Sequence, residues 1–204
     1  MSIDASDTGR RERKRRQTCG HLAATAFRLF EAEGYEQVTM EQIAAEADVA
    51  KGTLYKHFPV KEALIAHYFH NALAEDAPAK QAEMMALPSF RARMAWFLAG
   101  SAQWANSHRL YLPQYLQYRL AGAGKQERSG LDKIFEALIR AGQHDGELRD
   151  AHPPATLAAM IQFLYLGAMM TWLSQPGSEL RPHFDTLLDV FLNGVLATPA
   201  GAAR

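Results

Sequence analysis

The sequence has little cysteine and no excess charge. Cys19 is its single cysteine, which excludes an intrachain disulfide. Lys+Arg and Asp+Glu number 22 each, so no global basic charge points to nucleic acid. The motifs G-x-S-x-G and H-E-x-x-H, the P-loop and the dinucleotide fingerprint are missing, which disfavours the enzyme classes that depend on them. No apolar signal segment follows the polar N-terminus, so we expect a reduced, cytoplasmic protein without metal or cofactor.

Positive charge is concentrated near the N-terminus. Between Arg10 and Arg28 there are seven cations against one anion, Glu12. We expect residues 1–12 to form a disordered basic arm, with a helix from about residue 13 to Glu33 that Gly34 ends. The run is either a solubilising tail or an arm that reaches DNA phosphate or the minor groove, as homeodomain arms do.

Two short helices and a tight turn are predicted between Thr39 and Lys61. Thr39 and Gln42 have the spacing of a capping box, so a helix begins at about Met40. Asp48 tolerates left-handed backbone and marks the turn. The second helix, about 51–58, places Leu54 and its partner Phe58 inward. Its outer side carries Lys51, Thr53, Tyr55, Lys56 and His57.

That outer side has two interpretations. It is a solvated helix face, or it is a DNA-reading face, because it combines cations with hydroxyl, phenol and imidazole groups on a rod that fits a major groove about 12 Å wide. Gly52 in its first turn permits close backbone approach to a partner.

The remaining chain is predicted to be all-α, in helices of about 61–76, 89–106, 110–120, 128–143, 154–173 and a last one after Pro176. His67 and His70 lie three apart, as metal ligands can, but no Cys or closely spaced acid completes a set, so a structural or exposed pair is the favoured interpretation. The apolar stretch 157–173 is either a short membrane span or a helix buried between two partners, and we favour the second.

A resemblance decides between the interpretations of the helix pair. The segments 30–35, 39, 43–44, 49–58 and 61–64 (FEAEGY, T, IA, VAKGTLYKHF and KEAL) are similar to the N-terminal domain of the tetracycline-repressor (TetR) family. The resemblance covers about residues 15–66. It implies a three-helix helix-turn-helix DNA-binding domain at 13–60, joined by a long helix to a helical effector-binding and dimerisation domain at 61–198, with a disordered tail at 199–204.

The function implied is that of a ligand-responsive transcriptional regulator, foremost a repressor. It would bind a palindromic operator in double-stranded DNA as a homodimer and be released by a small lipophilic or aromatic effector. The alternatives are an effector-independent DNA-binding regulator or activator and, remotely, an all-α ligand-binding enzyme. Ala50 and Val60 stand where the family usually or often has a hydroxyl cap, which predicts a softer domain.

The resemblance also suggests three sets of site residues. Lys61 would bind phosphate at a helix N-terminus, within a DNA-binding set of Thr39, Met40, Lys51, Gly52, Thr53, Tyr55, Lys56, His57, Lys61, Arg13 and Lys14. The central aromatic residues are either core or the lining of a ligand pocket, for which the candidates are Trp96, Trp104, Gln103, Tyr111, Gln114, Tyr115, Tyr118, Phe135 and Phe163. The dimerisation candidates are Leu157, Met160, Ile161, Leu164, Ala168, Thr171, Phe184, Leu187, Leu188, Phe191, Leu192 and Val195.

Overall fold

The structure, a computed structural model, describes residues 5–75, 77–121 and 130–194. These described residues form an all-α fold without strands, as the sequence predicts. The helices are α1 Ala5–Glu33, α2 Met40–Glu46, α3 Lys51–His57, α4 Lys61–Glu75, α5 Ala77–Met85, α6 Phe90–Ser107, α7 Leu112–Leu120, α8 Leu131–His144, α9 Pro154–Leu173 and α10 Leu180–Asn193.

The first helix begins earlier than predicted. Residues 5–12, expected in a disordered arm, belong to α1. Arginine is a good helix former, and Glu12 accepts a hydrogen bond from the Arg15 guanidinium at 2.9 Å one turn later. The basic run is therefore a helical extension. The predicted tail, 199–204, and Val195 lie outside the described residues.

The ends of α1 and α2 follow the expected chemistry in part. Gly34 ends α1 with a φ of 89°. The Thr39 hydroxyl oxygen accepts a hydrogen bond from the Gln42 backbone N–H at 3.1 Å, which confirms the cap of α2. The Gln42 amide nitrogen, however, donates to both Glu33 carboxylate oxygens, at 2.8 and 2.7 Å. It thus ties α2 to α1 and does not close a capping box.

The turn between α2 and α3 is made where the sequence places it. Asp48 has a φ of 52°, and among the described residues it is the one with a positive φ that is not a glycine. The Val49 N–H donates to the Ala44 carbonyl at 3.0 Å. Ala50, the residue before α3, has extended backbone, and its side chain makes no capping hydrogen bond to the helix. The short turn fixes α3 against α2.

The chain divides into two compact units. Of the described residues, unit 1 comprises 5–75, 77–78 and 110–121, and thus α1 to α4 with α7. Its core is aromatic: the Phe27 ring stacks on Tyr68 at 3.9 Å and meets Tyr111 at 4.9 Å, which joins α1 to α4 and the start of α7. The helix-turn-helix segment is therefore packed with α4 and α7 in a unit larger than the 13–60 domain that we expect from sequence.

Of the described residues, unit 2 comprises 79–109 and 130–194. Within it, α9 packs against α8 and α10, and α6 against α8 and α10. Its core joins Phe135, Tyr165 and Phe184, with ring centroids 5.8 and 5.0 Å apart. The helix α5 is not among those expected from sequence. Pro78 lies in its first turn, where proline is tolerated.

Candidate nucleic-acid interface

The recognition-helix candidate α3 has the two-sided character that the sequence predicts. Leu54 and Phe58 are buried, at 0% and 3% exposure. The opposite side presents Lys51, Gly52, Tyr55 and Lys56 to solvent, with Thr53 and His57 half-buried. A Cβ added at Gly52 would meet nothing within 4 Å, so backbone is open to a partner there. The exposed side therefore offers donors and aromatic surface to a DNA groove.

An acid that sequence reasoning missed lies within this surface. The Glu41 carboxylate of α2 is 3.2 Å from the Lys51 ammonium and accepts a hydrogen bond from the Tyr55 hydroxyl at 3.4 Å. Its own backbone N–H, and then the Lys51 ammonium, hold the pKa of Glu41 below its usual value. Residues of α3 alone do not reveal this acid, since the turn at Asp48 is what brings α2 beside α3.

Two other members of the predicted DNA-binding set are more buried than expected. Met40 is only 8% exposed, so its side chain belongs to the core and not to the DNA face. The His57 ring nitrogen Nδ1 lies 3.5 Å from the Cys19 sulfur on α1, and both residues are half-buried. Three further candidates outside α3 are exposed: Arg13 and Lys14 on α1, and Thr39 before α2.

Lys61, expected at phosphate, is already engaged by the protein. Its ammonium donates to the backbone carbonyls of Tyr35 at 2.8 Å and Val38 at 2.9 Å, and lies 4.3 Å over the Tyr35 ring. The Tyr35 hydroxyl donates to Glu62 at 2.7 Å. Burial, and then the Glu62 carboxylate, raise the pKa of Tyr35 above its usual value. These contacts tie the start of α4 to the α1–α2 connection.

Part of the predicted ligand-binding set lies in unit 1, on and just before α7. Tyr111 is buried against Phe27, and the Tyr115 hydroxyl is 3.4 Å from the His70 ring nitrogen Nε2 on α4. Burial raises the pKa of the Tyr115 hydroxyl. The amide oxygen of Gln114 is buried and has no hydrogen-bond partner among the described residues. Tyr118 is half-buried.

The rest of the predicted ligand-binding set lies in unit 2. Phe135 is fully buried in the aromatic core. Trp96 is half-buried, and Trp104 stacks on His108 with ring centroids 4.5 Å apart. Gln103 is exposed, and Phe163 is 67% exposed on α9. Phe163 therefore belongs to a surface and is removed from the candidate lining.

Comparisons with known proteins show that this part of the chain is similar to DNA-binding regulators. The sequence profile of the bacterial regulatory proteins of the tetR family matches residues 22–68. Over 54 residues the chain is 46% identical to the HTH-type transcriptional regulator TcmR of Streptomyces glaucescens, across 26% of this chain and 24% of that protein. It is 27% identical to the HTH-type transcriptional regulator EthR of Mycolicibacterium smegmatis, across 89% of this chain and 88% of EthR.

The fold of the chain is also similar to that of a solved structure. The crystal structure of Thermus thermophilus FadR, a TetR family transcriptional repressor in complex with lauroyl-CoA, has a TM-score of 0.76 to this chain at 20% identity. The similarity covers 91% of this chain and 99% of that one. The comparisons support a TetR-family transcriptional regulator whose residues 22–68 match the family's DNA-binding domain. It is therefore a DNA-binding transcriptional regulator, and its relatives are regulators, not enzymes.

In unit 2, α9 has an apolar face that the other helices of the unit leave uncovered. By length and composition α9 is apolar enough to cross a membrane, although it packs against α8 and α10. Four large residues remain exposed on it: Met160, Phe163, Leu164 and Met170. Thr171 is also exposed, while Leu157 and Ala168 are half-buried.

Several predicted dimerisation residues are not on a surface. Ile161 of α9 and Phe184, Leu187 and Leu188 of α10 are at most 5% exposed, because they fill the core of unit 2. They are removed from the candidate dimer surface. Phe191 and Leu192, near the end of α10, are half-buried and remain on it. Among the described residues no cluster of three or more His, Cys, Asp or Glu forms a metal site.

Proposed function

We propose that this TetR-family regulator is a cytoplasmic repressor that binds an inverted-repeat operator as a homodimer and leaves it when a small lipophilic effector binds. The observation that carries the DNA-binding part is the exposed side of α3, where Lys51, Tyr55 and Lys56 stand together with open backbone at Gly52. A phosphate contact from Lys56 would supply affinity, and side chains at base edges would supply sequence preference.

The uncovered face of α9 supports the homodimer. A second copy of the chain that covered this face would remove the apolar surface of four side chains from water: Met160, Phe163, Leu164 and Met170. Gly167 lies among them, and a Cβ there would meet nothing within 4 Å, so helices could approach closely at this position. A two-fold dimer would present two copies of α3, which suits an inverted repeat.

The chemistry around α7 supports a lipophilic effector with one polar group. Buried Tyr111 and Tyr115 supply aromatic surface. The buried Gln114 amide oxygen has no donor within the described part of the chain, and a ligand hydroxyl or N–H would provide one. Lauroyl-CoA, the compound bound in Thermus thermophilus FadR, is the first candidate to test, and simple phenols are the second.

A route from α7 to the recognition helix exists inside unit 1. Tyr115 meets His70 in the later turns of α4. Earlier on the same helix, the His67 ring packs on Phe58, directly after α3, with centroids 5.4 Å apart. A ligand that displaces Tyr115 would therefore act on a helix that also contacts α3. Moving an equilibrium from 1:99 to 99:1 requires a preference of about 5.5 kcal/mol for one state.

Linkage gives the test of ligand-driven release. Lauroyl-CoA is titrated by calorimetry into free protein and into protein saturated with its operator, with lauric acid and resorcinol in parallel. Because coupling is reciprocal, operator must weaken ligand binding by the factor by which ligand weakens operator binding. Equal ligand affinity in the two titrations excludes release by that compound. Failure of all three compounds favours the effector-independent regulator.

A further inference from the structure

An acidic side chain stands inside the DNA-binding surface of this protein. Glu41 contacts the Lys51 ammonium at 3.2 Å and the Tyr55 hydroxyl at 3.4 Å, and all three side chains are exposed. An exposed ion pair of this kind contributes little to stability. Near DNA it has a larger consequence, because a carboxylate is repelled by phosphate unless a hydrogen-bond donor faces it.

The second exposed ion pair of α2 does not share this position. Glu46, at the other end of the helix, pairs with Arg28 of α1 at 2.6 Å. Both glutamates are exposed, at 47% and 46% of the side chain, and each pairs with a cation exposed by more than half. Of these two glutamates, Glu41 is the one that contacts residues of α3. Comparing variants of Glu41 and Glu46 therefore separates the effect of a contact with α3 from the effect of removing one negative charge.

We propose that Glu41 is a specificity-determining residue for DNA, which restrains Lys51 and Tyr55 away from phosphate and accepts a hydrogen bond from a cytosine amino group in the major groove of the operator. Cytosine N4 is the base donor that glutamate and aspartate read in that groove. A guanine or thymine at this place presents no N–H donor in the major groove, so it would leave the carboxylate without a donor and is rejected. The proposal rests on the operator recognition proposed above.

The restraint of Lys51 acts against non-operator DNA in particular. On a random duplex, Lys51 must leave Glu41 before it can neutralise a phosphate, and the carboxylate then stands unpaired beside the backbone. Removing the charge frees one cation in each subunit. Each additional phosphate contact steepens the dependence of log K on log salt by about 0.9.

Glu41→Gln tests the proposal, with Glu46→Gln as the control that removes the same charge from the same helix. Binding sites are selected from randomised duplex DNA for wild type and both variants. Affinities for the wild-type site and a scrambled duplex are then measured over a salt series. For Glu41→Gln we expect scrambled DNA to bind about tenfold more tightly, with a salt slope steeper by about 0.9 per subunit. We also expect about a tenfold loss of preference for cytosine at one position in each half-site.

Glu41→Asp is a control for the effect of net charge on DNA binding. It keeps the net charge but shortens the side chain by one methylene, so the cytosine preference should also fall. Glu46→Gln should keep the wild-type preference and slope. If Glu41→Gln and Glu46→Gln shift both duplexes equally, the role of Glu41 is refuted while operator binding stands. A wild-type protein that selects no sequence refutes both proposals.

Discussion

Lys61 shows at the residue scale how position in the fold changes a role. A lysine at a helix N-terminus is suited to phosphate, and an ammonium has three N–H donors. Two of these donate to the carbonyls of Tyr35 and Val38. At most one remains for a phosphate, so Lys61 holds the start of α4 first and contacts DNA second.

Replacing Lys61 should therefore reduce stability more than replacing an exposed lysine. Lys61→Ala is expected to lower the free energy of unfolding by about 2 kcal/mol, as hydrogen bonds from charged groups do. Lys51→Ala, which loses an exposed pair with Glu41, should cost less than about 1 kcal/mol. Urea unfolding followed by circular dichroism measures both. Equal costs would show that the carbonyl contacts of Lys61 do not stabilise the fold.

At the element scale, the helix-turn-helix segment has one capped helix and one uncapped helix. Thr39 caps α2 through the Gln42 N–H, whereas Ala50 precedes α3 with the extended backbone of a cap but no hydroxyl. The recognition helix of 7 residues thus begins with backbone donors that no capping side chain serves. Packing against α2 holds it in place instead.

A hydroxyl at position 50 should stabilise this helix. Ala50→Ser is expected to raise the free energy of unfolding by about 0.5–1 kcal/mol, because the serine oxygen can accept a backbone N–H of the first turn. Ala45→Ser is the control: Ala45 is exposed inside α2, and serine there should destabilise by a few tenths of a kcal/mol, roughly. Thermal melting compares the two. A loss of stability in both variants would contradict the capping argument.

How much the sequence predicts depends on how local the signal is. Helical periodicity and turn chemistry lie within a few residues, so the all-α fold, the Thr39 cap, the Asp48 turn and the inward Leu54 and Phe58 are confirmed. Contacts between distant residues are not readable in this way. The partners of Lys61 lie 23 and 26 residues away, and the place of Glu41 depends on how the turn orients α2.

Burial of apolar residues was the least predictable property. A stripe of apolar residues shows that a helix has an apolar face, but it does not show what covers that face. Phe163, expected in a ligand site, is exposed, and Phe184, expected at a dimer surface, is core. Which neighbour covers each face is decided by how α8, α9 and α10 pack in unit 2.

At the scale of the whole molecule, we expect operator binding to require a dimer formed through α9. Phe163 is 67% exposed, so Phe163→Glu removes no core packing but places a charge in the proposed interface. Leu110 is 70% exposed outside α9, and Leu110→Glu is the matched control. A charge buried without a partner destabilises an interface strongly. We expect the first variant to be a folded monomer and the second to behave as wild type.

The most direct test of the central claim combines DNA selection with the mass of the complex. Wild type is used to select sites from randomised duplex DNA, and analytical ultracentrifugation then counts the chains on a selected duplex. We predict an inverted repeat that carries two chains, with binding lost in Phe163→Glu and kept in Leu110→Glu. A selected site without dyad symmetry, or one chain per duplex, would contradict it.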